Sequence, residues 1–181
     1  MATINQSQHQ SQVALTGKDF QNDIYNWLIE NIHHDNVSIL QPKRLNPVLP
    51  NKRRPPHQFF CLQLHTPIGS IIGDTDIVVF DKAGKKPIII ISCKKSIRER
   101  LTESLYYKGL YERMYGIRLP LFVVTDDPNL EFGTEKKPRK ARILATFENA
   151  FVYSTNPKTE VSGCVKYIDS LINDVRRVAA I

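Results

Sequence analysis

Apolar residues recur along the chain with two different periods. Phe20, Ile24, Trp27, Leu28 and Ile32 fall at helical spacing, and Thr16 with Asp19 stands ahead of them as a capping pair. The spacing predicts a helix from about residue 16 that ends near His33–His34–Asp35. Shorter apolar runs follow. "VSILQ" (37–41) and the alternating "FFCLQLHT" (59–66) predict strands, and "IIGDTDIVVFD" (71–81) predicts a strand with acids near its start. "DKAGKKP" (81–87) is a Lys- and Gly-rich turn, so segments 74–80 and 87–93 form a predicted hairpin. Ser96 and Glu99 make an S-x-x-E capping box that opens a helix over 97–115, closed by Gly116. "LPLFVVTDD" (119–127) is a buried strand by composition, and 142–155 holds one or two more. Val161, Val165, Ile168, Leu171, Ile172 and Val175 predict a last amphipathic helix over 159–178. This order predicts an α/β fold, a mixed central β-sheet flanked by α-helices.

Residues 1–15 break the pattern. They are rich in Gln, Ser and Asn with few large apolar groups, and they read as a disordered tail before a single domain at 16–181. The 181 residues suffice for one well-packed domain. No apolar run reaches the roughly 18 residues that a membrane span needs, so no membrane association is expected. The first residues lack the basic-then-apolar order of a secretory signal. Cys61, Cys93 and Cys164 are widely spaced, which suits a reducing cytoplasm and excludes a C-x-x-C pair.

Charge adds a partner. The chain carries a formal +7, and the excess is patchy. "NKRRPPH" (51–57) brings Lys52, Arg53 and Arg54 together, and "EKKPRKAR" (135–142) brings Lys136, Lys137, Arg139, Lys140 and Arg142. Both stretches contain proline and read as loops. Three basic segments, counting "KKSIRER" (94–100), favour phosphate contacts and a nucleic-acid partner.

The chemistry concentrates in the hairpin. Asp74 and Asp76 alternate with Thr75, and Ser92 and Lys94 alternate with Cys93, so each pair shares a strand face. Pairing around the turn at 82–85 sets the acidic start of one strand beside the Lys-bearing end of the other. Lys94 then emerges next to Asp76. A carboxylate and an ammonium at two strand ends suit a divalent metal, with Mg2+ the hard ion that oxygen ligands prefer, and an oriented water.

"GDTDIVVFDKAGKKPIIIISCKKS" resembles the core of the PD-(D/E)xK nuclease superfamily, and "ISCKKSIRERL" resembles a strand-to-helix segment of some type II restriction endonucleases. The resemblance implies a restriction-endonuclease-like fold and a Mg2+-dependent endonuclease that cuts double-stranded DNA at specific sites as a homodimer. It places Asp76 at the metal-binding aspartate, Lys94 at the catalytic lysine, and the backbone carbonyl of Cys93 at a further metal ligand. Ser92 stands where that pattern has Asp or Glu. The family tolerates migration of this acid onto the following helix, where Glu103 is the first choice. It falls with Tyr107, Leu110 and Met114 on one helical stripe, an unexpected place for a carboxylate, and a polar residue followed four later by Tyr matches related nucleases. Glu99, Asp74 and Glu112 are the alternatives, and Glu30 on the first helix is a further acid of the kind some relatives use. Two other functions fit the same residues: a structure-specific nuclease for junctions or repair, and a silent DNA-binding module lacking the acid at Ser92.

Overall fold

The computed structural model describes residues 2–41, 63–66, 69–72, 75–81, 86–95, 101–116, 118–126, 149–152 and 165–181. Their elements are α1 (Ala2–Asn31), β1 (Val37–Leu40), β2 (Gln63–Thr66), β3 (Gly69–Ile72), β4 (Ile77–Asp81), β5 (Lys86–Lys94), α2 (Leu101–Tyr115), β6 (Leu121–Thr125), β7 (Asn149–Val152), β8 (Val165–Tyr167) and α3 (Asp169–Ala179). Six strands form one mixed sheet in the order β1-β4-β5-β6-β7-β8, and β2 with β3 forms a separate antiparallel ribbon. β1, β4 and β5 pair antiparallel, whereas β5 through β8 run parallel. The mixed sheet flanked by helices is the architecture that the hydrophobic pattern predicts.

The β4–β5 hairpin forms as expected, with Ile77 opposite Ile91 and Val79 opposite Ile89. The register then slips so that Phe80 meets Pro87, leaving Ile88 as the extra residue. A bulge there is physically apt, because Pro87 has no N–H to give to a ladder. The two faces of the hairpin differ. Ile77, Val79, Ile89, Ile91 and Cys93 join Phe122 and Val124 in a core covered by Phe20, Ile24, Leu28 and Ile32 of α1 and by Leu171 and Val175 of α3. The opposite face carries Ser92, Lys94 and Thr125, all buried, together with Asp76.

Several boundaries differ from the sequence reading. Helical backbone runs from Ala2, where a tail is expected; Gln and Ala are good helix formers, and extending a docked helix needs no new nucleus. The segment 71–81 is two elements, since β3 ends at Ile72 in the ribbon while β4 starts at Ile77. Val165 lies in β8 rather than in the last helix, paired with Ala150. Its apolar side chain suits a buried strand as well as a helix face, so periodicity could not separate the two. Helix α2 ends as predicted: Gly116 takes φ +63°, and its N–H donates to the Glu112 carbonyl at 3.0 Å. The capping box at 96–99 lies outside the described residues. Among the described residues, no helix is long and apolar enough to cross a membrane.

Candidate active site

Asp76 sits in the bend just before β4, one residue ahead of the Ile77–Ile91 pair, and so opposite Ser92. Three donors converge on its Oδ2. The Cys93 backbone N–H donates at 2.9 Å, the Lys94 ammonium at 3.1 Å and the Ser92 hydroxyl at 3.4 Å. Asp76 and Lys94 also form an ion pair whose side chains are 5% and 9% exposed. An unpaired buried lysine would cost several kcal/mol, so the carboxylate is what lets Lys94 end a strand of isoleucines. The pair holds the buried Asp76 side chain in place through charge-assisted contacts.

The surrounding elements fix this geometry. From α1, the Gln21 side-chain N–H donates to the Asp76 backbone carbonyl at 2.9 Å. The buried Gln41, just past β1, donates to the Gln21 carbonyl at 3.4 Å. From α2, Ser104 lies 3.1 Å from Ser92, oxygen to oxygen, with both residues buried. β6 closes the far side, where Thr125 is fully buried and pairs with Lys94. Gln21 and Ser104 escape a sequence reading, because single polar residues on otherwise apolar helix faces carry no periodic signal. The one available hint was the i, i+7 spacing of Ser104 and Tyr111, the two buried residues described on α2.

The other candidate residues divide. Glu103 is exposed, and Tyr107 and Leu110 are only partly buried. The expected inward stripe through Glu103, Tyr107 and Leu110 is therefore corrected by one position, to Ser104 and Tyr111; short polar Ser104 fits against β5 where a long carboxylate would not. Tyr107 packs edge-to-face on Tyr106, with ring centroids 5.5 Å apart. Glu112 pairs with Lys108 at 3.9 Å, as its spacing suggests. Glu30 is exposed near the end of α1, nine residues from Gln21, which is about 13 Å along a helix axis. That distance separates it from Asp76. Asp74, Glu99 and the basic residues at 52–54 and 136–142 lie outside the described residues.

Among the described residues, no three His, Cys, Asp or Glu side chains cluster as a ready-made metal cage. The donor chemistry nevertheless fits a hard ion that keeps much of its water shell and takes only one or two carboxylates. Asp76 supplies one. The Cys93 N–H points at Asp76, and in an extended strand the carbonyl of the same residue leaves toward the same edge, so a second hard oxygen faces this side.

Comparison with known proteins gives the arrangement its family. The family model described as BsaWI restriction endonuclease, type 2, matches residues 62–177, well over half of the chain. The chain belongs to this family of type II restriction endonucleases. It is 25% identical over 181 residues to a Methanocaldococcus jannaschii protein assigned as the type II restriction enzyme MjaVIP, covering 94% of this chain and 78% of that one. It is 30% identical over 110 residues to a Helicobacter pylori protein assigned as the type II restriction enzyme HpyAORF263P, covering 60% of this chain but only 54% of the relative. The fold resembles the restriction endonuclease PspGI in its substrate DNA complex, with TM-score 0.59, 11% identity and coverage of 98% and 67%. It likewise resembles BsaWI in a pre-specific DNA complex, with TM-score 0.57, 15% identity and coverage of 98% and 66%. Of the three functions that the residues fit, membership selects the site-specific DNA endonuclease, a class that uses divalent metal.

Proposed function

We propose that this endonuclease hydrolyses double-stranded DNA with Mg2+, that Asp76 and Glu103 hold the ion with the Cys93 carbonyl, and that Lys94 orients the attacking water. The observation that carries the reading is the 3.1 Å contact between Asp76 and Lys94 on one face of adjacent strand ends. When bound, the metal supplies Lewis-acid stabilisation of the charge that develops on the phosphate. The chain's own groups do the positioning. The Lys94 ammonium is held by Asp76, with Thr125 as its register neighbour on β6, so it orients a water or a phosphate oxygen from a fixed position. Burial of Asp76 and Lys94 keeps bulk water from screening either charge.

Glu103 is exposed on the turn of α2 whose Ser104 touches Ser92, which leaves its carboxylate open to an arriving ion. Basic residues Lys52, Arg53 and Arg54, and Lys136, Lys137, Arg139, Lys140 and Arg142, supply phosphate contacts, and their arginines can read guanine in the major groove. A palindromic target calls for a two-fold homodimer with one such site per strand.

The test is digestion of a defined plasmid with and without Mg2+, run-off sequencing of the ends, and sedimentation of the protein. Discrete fragments that require Mg2+ and a dimeric mass are expected. Random degradation, cleavage without divalent metal, or a preference for branched DNA would overturn the reading.

A further inference from the structure

Ser92 occupies the place where the superfamily pattern carries an acid, yet its hydroxyl is fully engaged. The Asp76 carboxylate can only accept, so the single Ser92 hydroxyl hydrogen is spent on Oδ2. Either hydroxyl can donate in the 3.1 Å Ser92–Ser104 bond; with the Ser92 hydrogen on Oδ2, Ser104 donates to the Ser92 oxygen. The two hydroxyls form a directed chain, from α2 to β5 to the carboxylate before β4. Ser92 is 1% and Ser104 4% exposed, so both links are buried. In such surroundings each hydrogen bond polarises the next.

We propose that Ser104 is a positioning residue of the active site, acting through Ser92 to orient Asp76. The proposal rests on the reading of Asp76 as the metal-binding carboxylate. The same bond, with buried Tyr111 farther along the same face, ties α2 to the sheet. Glu103 precedes Ser104, so with Ser104 and Tyr111 turned inward Glu103 leaves the helix about 100° around the axis from the hydroxyl pair. A small neutral residue at 92 thereby replaces an acid in two ways: it holds one carboxylate and indexes the helix that carries the other. An aspartate at 92 would instead press a second anion against Asp76.

The experiment measures single-turnover cleavage against Mg2+ concentration for Ser104→Ala, Ser92→Ala, the double variant, Ser104→Thr, Asp76→Ala and Lys94→Ala. Ser104→Ala is expected to raise the Mg2+ midpoint about 10- to 100-fold, the range for groups that orient metal ligands. The double variant should be no worse than the poorer single one, because one chain is cut only once. Ser104→Thr keeps the hydroxyl and should recover most of the loss. A merely structural role would lower the melting temperature and leave the Mg2+ midpoint where it was. If Ser104→Ala does not fold, Ser104→Cys keeps the size, weakens the donor and gives the same readout. Wild-type cleavage by Ser104→Ala, or additive losses in the double variant, would sink the relay while Asp76→Ala and Lys94→Ala stay inactive. Normal cleavage by Asp76→Ala would instead remove the site reading itself.

Discussion

The two faces of the β4–β5 hairpin use the same backbone for opposite ends. The face under α1 and α3 is wholly apolar, with Ile77, Val79, Ile89 and Ile91 each fully buried. The face under α2 is apolar at Val78 and Phe80 but turns polar at the strand ends, with Asp76, Ser92 and Lys94 all under 9% exposed. Alternation makes this possible. A period of two lets one strand present isoleucine to a core and lysine to the proposed site at neighbouring positions. The apolar face makes the site rigid: burying four such side chains contributes roughly 1.5–3 kcal/mol each, which offsets the cost of burying charged groups next door.

The sharpest way to break this division is Lys94→Ala. The variant should lose about 10³-fold or more in cleavage, equivalent to about 4 kcal/mol of transition-state stabilisation. It should also unfold more easily, since removing one partner of a buried pair costs about 3–5 kcal/mol, moderated here by the donors Asp76 keeps from Cys93 and Ser92. Single-turnover cleavage and urea unfolding read the two effects separately. Wild-type cleavage would show that the polar face is not the reaction centre.

The counterpart on the apolar face is Phe122→Ala. Phe122 is 1% exposed within the core cluster, so truncation should destabilise by about 3–5 kcal/mol. The cleavage rate per folded molecule should remain near that of the wild type at a temperature below the new melting point. If cleavage disappears while the fold persists, the faces are not separable.

How legible this was follows from the same contrast. Long periodic features survived the passage from sequence to structure: the α1 stripe at Phe20, Ile24, Leu28 and Ile32, the hairpin, and the Asp76–Lys94 encounter that the hairpin register enforces. Local phase did not. Ser104 and Glu103 are neighbours in sequence, and a 100° rotation decides which of them faces the sheet. The apolar stripe drawn through Glu103 was one residue out because Tyr111, not Leu110, is the buried anchor of α2. Gln21 was invisible for a different reason. Its partner is the backbone carbonyl of Asp76, 55 residues later, and backbone acceptors leave no mark in a sequence.

A second buried carboxylate sharpens the comparison from the far edge of the sheet. Asp174 on α3 accepts from Lys166 at 2.6 Å and from Arg177 at 2.9 Å. It resembles Asp76 in having a lysine partner, but that lysine is 30% exposed and the pair ties α3 to β8. Asp174→Asn should cost about 1–3 kcal/mol of stability, the penalty of a lost charged hydrogen bond, and leave the folded enzyme's cleavage unchanged. Equal losses of cleavage at Asp174 and Asp76 would mean that a buried acid–lysine pair does not by itself mark the site.

The smallest expected effect discriminates most finely, because it concerns which acid on α2 serves the site. Glu112 lies 3.9 Å from Lys108 and its side chain is 36% exposed, so the pair is worth at most about 0.5 kcal/mol. Glu112→Gln should melt within a degree or two of the wild type and cleave at the same rate. Glu103→Gln, on the same helix and just as conservative, should abolish Mg2+-dependent cleavage while melting equally close to the wild type. The two variants differ only in where their carboxylate leaves the helix, nine residues apart. If Glu112→Gln is the inactive one, the acid that compensates for Ser92 sits two and a half turns farther along α2, and the helix indexing assigned to Ser104 must serve Glu112 instead.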